Sequence, residues 1–284
     1  MMHYFSKKNN RKIDLNIDVC SLDQWSKDNS KFLCCRHPNN FLIFLDPDEI
    51  NVSDEYANDD PYSVIDNINS SMHQRRFKCT TDLVGDNKEN QHVKLLDLGC
   101  GQGHLTNYIK EKFKDFEVHG LDYSVSAIDY ASTHFKNIDF IVANAYQPPF
   151  ENEYFDIVVC NNIWEHVPDP VNLLKSISRI LKSNGVLIIS TPSRYRLMNL
   201  LKIFKGKKIS FMSKSHVTEY TVGQVKELLQ FGGFQVSKVY SPKIKEKKLI
   251  LRLLKPSIYF FFKITKSHHI LEATVFYSAI KKVS

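Results

Sequence analysis

The sequence lacks the features that mark membrane-spanning, secreted and disulfide-stabilised proteins. No uncharged apolar run reaches the roughly 18 residues that suggest a membrane span. The first residues, MMHYFSKKNNRKIDLN, are polar and charged, without the apolar core or cleavage site of a signal peptide. Only six cysteines are spread over 284 residues, which is not a disulfide framework. We therefore expect a protein of the cytoplasm, a reducing compartment.

Acidic residues are almost absent from two segments that carry much of the positive charge. Residues 193–216 hold seven Lys/Arg and no acid, and residues 242–267 hold eight with one acid. Residues 46–66 show the opposite bias, with eight acids and no base, and are expected to form a solvated linker. This charge pattern divides the chain into an N-terminal extension at 1–70 and a main domain at 71–284.

Glycine is scarce, yet Gly99, Gly101 and Gly103 lie at every second position after an apolar run at 93–98. Apolar residues then recur with a helical period over residues 104–116, which predicts a helix there. Glycine tolerates positive φ and lets a ligand approach the backbone, while a helix N-terminus favours a carboxylate or phosphate. The spacing departs from the dinucleotide fingerprint G-x-G-x-x-G, and G-K-[ST] is absent. A tight turn that simply needs glycine is the alternative interpretation.

Further strands are predicted at regular intervals along the chain. A strand at 117–121 ends in Asp122, whose carboxylate suits a ribose diol. Strands at 139–142, 155–160 and 185–191 follow, with a helix at 171–181 between the last two. Alternating strands and helices predict a parallel sheet covered on both faces, with a ligand at the carboxyl ends of the strands.

The ordered motifs resemble the class I S-adenosylmethionine-dependent methyltransferases. They are LLDLGCGQGHL, VHGLDYSVSAIDYA, NAYQPPFENEYFDIVVCNNIWEHVPDP, ILKSNGVLIISTPS and HVTEYTVGQVKELLQFGGFQV. WEHVPDP and HVTEYT resemble the branch with the ubiquinone-type O-methyltransferases and many glycan or lipid methyltransferases. The resemblance implies a Rossmann-like, doubly wound sheet of seven strands, mostly parallel, with an antiparallel last strand at 273–281. It also implies O-methylation of a small-molecule, glycan or lipid-linked hydroxyl.

The resemblance assigns a cofactor role to residues that follow four of the strands. The glycine loop would cradle the methionine part, Asp122 the ribose, and residues 144 and 145 the adenine. The family usually has Asp at position 144, and Asn accepts a hydrogen bond there without the charge. One arginine of the helix predicted for 70–85, Arg75 or Arg76, would pair with the cofactor carboxylate, unless both lie on a solvated helix face. The full set is Arg76, Asp97, Gly99, Cys100, Gly101, Gly103, Asp122, Tyr123, Asn144, Ala145 and Asn161.

A general base is expected just past the fourth strand of the domain. His166 is the best-placed candidate, and Glu165 would orient it or contact the acceptor. Alternatively, this loop only shapes the start of the next helix, with Asp169 as its cap and Pro170 in its first turn. His216 is a weaker candidate for a residue of the substrate site. Thr221 with Gln224 predicts a capping box at the start of the helix that follows.

The N-terminal CCRHPNNFLIFLDP resembles a zinc ribbon that has lost two thiolate ligands. Cys34 and Cys35 are adjacent and do not form a C-x-x-C clamp, so no metal is expected. We predict a small metal-free cap that helps enclose the acceptor site.

The basic segments leave the nature of the partner open. Both combine apolar spacing with Lys/Arg, so they either lie on an anionic membrane at its inner face or cap the active site with a solvated surface. A nucleic-acid methyltransferase is disfavoured because NNIW stands where N-P-P-Y is expected and no Pro-Cys nucleophile occurs. A non-catalytic binding module is disfavoured by the intact glycines and Asp122.

Overall fold

The computed structural model describes residues 3–6, 11–27, 31–50, 70–87, 92–241 and 273–282, with four single positions between 256 and 264. Most of the acidic segment and nearly all of the basic segment at 242–267 therefore lie outside the described residues. None of the helices in the described part of the chain combines the length and apolar character needed to cross a bilayer.

Twelve strands and eight helices are formed by the described residues. The strands are β1 Phe5–Ser6, β2 Arg11–Lys12, β3 Val19–Ser21, β4 Cys34–Arg36, β5 Leu42–Ile43, β6 Lys94–Leu98, β7 Glu117–Asp122, β8 Asp139–Val142, β9 Phe155–Asn161, β10 Leu181–Pro192, β11 Phe234–Tyr240 and β12 Thr274–Lys281. The helices are α1 Leu22–Lys27, α2 Pro47–Ile50, α3 Ser71–Asp86, α4 His104–Lys112, α5 Val125–His134, α6 Pro170–Ile180, α7 Leu197–Phe204 and α8 Val222–Phe231.

The main sheet has the strand order β11-β12-β10-β9-β6-β7-β8-β5-β4-β3. From β10 to β8 all neighbours are parallel, whereas β12 runs antiparallel to both β10 and β11. The Rossmann-like arrangement with an antiparallel last strand is therefore confirmed. Because the parallel strands share one direction, their carboxyl ends lie at the same edge, where a ligand of such sheets binds.

Helices cover both faces of the sheet, as the alternating pattern predicts. Leu95 and its neighbours on one face pack against α3 and α4, in a core that includes Leu83 and Ile109. Leu96 points the other way and packs with α6 and α8, in a core that includes Leu173 and Val225. Successive residues of a strand point to opposite faces, so one short apolar strand supplies both cores.

The N-terminal extension, which the sequence predicts to form a small cap, continues the main sheet. β5 pairs in parallel with β8 through Leu42 and Ile141, and β4 and β3 follow. The pairing satisfies backbone groups along the edge of β8 that would otherwise be unpaired. Burial raises the pKa of both Cys34 and Cys35 to about 12, so these thiols stay protonated. The zinc-ribbon resemblance of this segment is not confirmed.

Two predicted helix starts are confirmed at the edge that carries the motifs. Asp169 accepts a hydrogen bond from the Asn172 backbone N–H at 2.9 Å, with Pro170 in the first turn of α6. Thr221 and Gln224 form the reciprocal capping box of α8. These caps define where the loops that precede α6 and α8 end.

Candidate active site

The loop between β6 and α4 contains three glycines in the left-handed backbone conformation. Gly99, Gly101 and Gly103 have φ of 74°, 53° and 76°. The N–H groups of Gly99 and Cys100 donate to the Leu121 carbonyl at 2.7 and 3.0 Å, which ties the loop to β7. A Cβ at position 99 would come within 2.2 Å of the Ile163 side chain. The spacing of these glycines therefore serves a close packing of loop against loop as well as the turn itself.

Asp122 lies at the end of β7, beside this loop. Its Oδ2 accepts a hydrogen bond from the Gly101 N–H at 2.7 Å, and its Oδ1 accepts one from the Ser124 N–H at 3.0 Å. The adjacent Tyr123 hydroxyl donates to the Glu49 carbonyl of α2 at 3.3 Å. The carboxylate is thus fixed in place, with lone pairs remaining for a diol.

Asn144 and Ala145 follow β8 at the same edge of the sheet, and both are half-buried. The Asn144 Oδ1 accepts a hydrogen bond from the Tyr146 backbone N–H at 2.9 Å, so it caps a local turn. The predicted adenine contact would have to use the second lone pair of this oxygen.

A cleft at the carboxyl edge of β6 collects several of the predicted cofactor residues. Arg76, Asp97, Gly99, Cys100 and Asn161 all line it. Of the two candidate arginines, it is Arg76 that faces this cleft. Sequence reasoning missed other lining residues, which carry no motif of their own: His73, Phe77, Gln102, His104 and Leu105.

Asp97 is the buried acid of the cleft. Burial, together with the nearby charge of Asp122, raises its pKa to about 7, although a 2.7 Å hydrogen bond from the Thr106 hydroxyl opposes the shift. A carboxyl with this pKa changes its charge readily near neutral pH.

The cleft fits the amino-acid end of S-adenosylmethionine. The Asn161 amide donates to Thr80 Oγ1 at 2.8 Å, while its Oδ1 is buried with no hydrogen-bond partner among the described residues. An orphaned acceptor together with the Asp97 carboxylate suits an ammonium group. The Arg76 guanidinium in the same cleft suits a carboxylate. These residues would therefore hold the methionine portion of the cofactor.

Cofactor affinity is expected to rise with pH between 6 and 8 because ionised Asp97 binds the ammonium. A carboxyl with a pKa of about 7 is mostly protonated at pH 6, so binding there requires proton release and is weaker by about tenfold than at pH 8. Asp97→Asn keeps all other titrating groups, so its cofactor affinity should no longer show this rise between pH 6 and 8. Calorimetry in buffers of different ionisation enthalpy measures both the affinity and the released proton. Identical pH profiles for wild type and Asp97→Asn would refute this role.

Glu165 lies in the loop after β9 and is linked to the cleft by hydrogen bonds. Its side chain is buried, with Oε1 accepting from the Asn162 amide at 2.9 Å and Oε2 from the Thr191 hydroxyl at 3.2 Å. Asn162 Oδ1 in turn accepts from Arg76 at 2.6 Å. The predicted site residues Arg76 and Glu165 thus belong to one hydrogen-bonded chain.

His166 and His216 meet next to Glu165, although 50 positions separate them. Their rings are edge to face, with centroids 4.9 Å apart. The Val217 N–H donates to the Glu165 carbonyl at 2.7 Å, which docks the HVTEYT segment on the WEHV loop. Ligand atoms of Glu165, His166 and His216 all lie within 4.8 Å of one another. Only the tertiary structure gives His216 this position, since no local pattern links the two segments.

Comparison with known proteins agrees with this geometry. A family model described as a methyltransferase domain matches residues 89–260, more than half of the chain. The ubiquinone biosynthesis O-methyltransferase of Histophilus somni is 36% identical over 110 residues, which are 36% of this chain and 45% of that protein. The demethylmenaquinone methyltransferase of Thermotoga maritima is 29% identical over 170 residues, 51% of this chain and 71% of that one. The chain spans about half the length of the first curated relatives it matches.

Solved structures share the fold at low sequence identity. The [4+2]-cyclase SpnF matches with a TM-score of 0.55 and 18% identity, over 76% of this chain and 85% of that chain. The magnesium protoporphyrin IX methyltransferase of Synechocystis, solved with bound S-adenosylhomocysteine, has a TM-score of 0.53 and 14% identity, over 74% and 84%. The family match, the sheet order and the cleft lead to one conclusion. The chain belongs to the methyltransferase domain family, and S-adenosylmethionine is its cofactor.

Proposed function

We propose that the protein transfers a methyl group from S-adenosylmethionine to a hydroxyl of a small-molecule, glycan or lipid-linked acceptor. The observation that carries the proposal is the hydrogen-bonded chain from the cleft to Glu165, beside which two histidines lie. Arg76 lines the cleft and bonds Asn162, Asn162 bonds Glu165, and Glu165 lies beside His166. The chain supports the proposal because it links the cleft to a loop whose side chains can accept a proton.

When bound, S-adenosylmethionine supplies an electrophilic methyl group on a sulfonium, so the cofactor carries the difficult chemistry. The protein has to hold the acceptor in line, exclude water and receive a proton. Asp122, Asp97 and Asn161 would orient the cofactor. His166 and Glu165, the residues that the sequence indicates, would border the acceptor. A hydroxyl is favoured among acceptors because it must lose a proton on methylation, and this site offers imidazole groups to take it.

The proposal is tested with methyl-tritiated S-adenosylmethionine and cell extracts separated into aqueous and organic-soluble fractions. Label should enter a small-molecule, glycan or organic-soluble fraction with wild type and with Asp115→Ala, whose carboxylate is exposed and precedes the amino end of β7. Asp122→Ala should transfer far less label at a cofactor concentration that just saturates the wild type. Cofactor binding by calorimetry without transfer into any fraction would instead indicate a binding module.

An amphipathic acceptor is favoured by the surface around α7. Met198, Ile203 and Phe204 are exposed there, Phe204 to 84%. Lys205, Lys207 and Lys208 follow directly and are exposed as well. Apolar side chains beside a cluster of lysines suit an anionic lipid surface, where each basic residue contributes about 1 kcal/mol. We therefore include peripheral contact with an anionic membrane in the proposal.

Vesicle binding should depend on Phe204. At low salt the wild type should pellet with vesicles of phosphatidylcholine and phosphatidylserine but not with phosphatidylcholine alone. Phe204→Ser should lower the bound fraction several-fold because one large apolar side chain no longer enters the interface. Phe231→Ser is the matched control, since Phe231 is 77% exposed on the separate helix α8. Equal loss in both variants, or no pelleting of wild type, would remove the membrane part of the proposal.

A further inference from the structure

A buried carboxylate lies at the centre of the contacts that hold the segment between β10 and α8. Glu219 is fully buried. Its oxygens accept hydrogen bonds from the Arg196 guanidinium, from the Met212 backbone N–H and, at 3.0 Å, from Nδ1 of His216. Arg196 also donates to the carbonyl of Ser210, in the segment that follows α7. A buried carboxylate with three hydrogen-bond donors is costly to disrupt, because removing any one partner leaves a desolvated polar group.

The hydrogen bond to Glu219 determines which ring nitrogen of His216 carries the hydrogen. A carboxylate offers only acceptors, so Nδ1 of His216 must carry the hydrogen. In the neutral ring Nε2 is then the unprotonated nitrogen, ready to accept a proton. The His216 side chain is only 7% exposed, which limits the orientations of the ring. A base oriented by a third group in this way is the arrangement that activates nucleophiles in many enzymes.

None of the residues that the structure describes orients His166 in this way. Its side chain is exposed, and its ring meets His216 edge-on. Of the two histidines beside Glu165, the ring with a fixed tautomer is therefore His216. Proton-transfer catalysis depends first on such geometry, since the base must face the proton it removes.

We propose that His216, oriented by Glu219, is the residue that takes the proton of the acceptor hydroxyl, with Glu219 as a positioning residue. This rests on the proposed methyl transfer. The O–H bond of the acceptor breaks and its proton goes to Nε2 of His216. The oxygen electron pair forms the bond to the methyl carbon, while the methyl–sulfur electron pair stays on the sulfur. The imidazolium then returns its proton to solvent.

The same residues could instead bind a metal ion, since Glu165, His166 and His216 have suitable ligand atoms. The contacts favour the proton role. Both Glu165 oxygens already accept hydrogen bonds, from Asn162 and from Thr191. The contact of Nδ1 with Glu219 leaves Nε2 of His216 available to a metal as well as to a proton, so it is the Glu165 contacts that argue against the metal. Metal dependence is therefore an outcome that would overturn the proposal.

The tautomer of His216 is measurable on the full chain without any acceptor. Long-range ¹⁵N–¹H spectra at pH 8 should show His216 with a protonated Nδ1 and a bare Nε2, the peaks being assigned by their loss in His216→Gln. Glu219→Gln should shift His216 toward the Nε2–H tautomer, whereas His166→Gln should leave it unchanged. An Nε2–H tautomer in the wild type would overturn the proposal, even if Glu219→Gln fails to fold.

Turnover separates this proposal from the methyl transfer on which it rests. With the extract fraction that the wild type labels, His216→Gln should lower the transfer rate by about 10²- to 10⁴-fold, and His166→Gln by less than tenfold. Cofactor affinity should stay within about twofold in both variants. A larger loss in His166→Gln, or wild-type transfer abolished by a chelator and restored by Zn²⁺, would contradict the role of His216. If the wild type labels nothing, methyl transfer fails, and the tautomer experiment still decides whether Glu219 positions His216.

Discussion

Asp122→Ala is expected to weaken S-adenosylmethionine binding by about 30- to 1000-fold. Two charge-assisted hydrogen bonds to a ribose diol account for about 2–4 kcal/mol, and each 1.4 kcal/mol is tenfold in affinity. The substitution also leaves the N–H groups of Gly101 and Ser124 without the oxygens that now accept their hydrogen bonds at 2.7 and 3.0 Å. Loss of loop geometry therefore adds to the loss of direct contacts.

Two further variants separate these effects in calorimetric titrations with S-adenosylmethionine and S-adenosylhomocysteine. Asp122→Asn keeps one carbonyl oxygen without the charge and should lose less affinity than Asp122→Ala. Asp115→Ala removes an exposed carboxylate and should bind as tightly as wild type. Affinity of Asp122→Ala within threefold of wild type would show that Asp122 does not hold the ribose, and the cofactor position would need reassignment.

Gly103→Ala is expected to destabilise the fold by about 2–5 kcal/mol. Position 103 has φ of 76°, and a left-handed conformation costs a residue with a Cβ about 1–2 kcal/mol. The added Cβ would also lie 2.8 Å from Phe140 Cζ and 3.0 Å from the Ala131 Cβ. Neither neighbour is the end of a flexible chain, so overpacking adds about 1–3 kcal/mol. Urea denaturation of the free protein measures the sum.

Two other glycines provide matched controls for the two contributions. Gly206 has φ of 64°, but no heavy atom lies within 4 Å of the position that a Cβ would take, so Gly206→Ala should show the conformational cost alone. Gly120 lacks positive φ, yet its Cβ would lie 2.4 Å from Phe140, so Gly120→Ala should show overpacking alone. Equal destabilisation by Gly103→Ala and Gly206→Ala would mean that the Phe140 contact relaxes at no cost.

Local sequence patterns predicted most strands and helices of the main domain. The errors lie at the ends of these elements, which packing determines. The predicted strand at 139–142 is β8 as observed. The helix predicted for 104–116 ends at Lys112, because Phe113 leaves helical geometry and stacks on Phe116 at 4.8 Å. β10 begins at Leu181, four residues before the prediction, because Leu181 pairs with Phe155 across a register shift. Helical or strand periodicity carries no information about such contacts.

The sequence by itself determined the parallel sheet, the glycine loop, Asp122 and the family, because these depend on residue types at short and regular spacings. The tertiary structure alone decided two features. The N-terminal strands pair with β8 and lengthen the sheet, since an open strand edge accepts any segment of matching register. Glu165, His166, His216 and Glu219 come together because the segment after β10 folds back onto the loop after β9. Contacts between segments some 50 residues apart are determined by burial and hydrogen bonding in the folded chain, which no local pattern encodes.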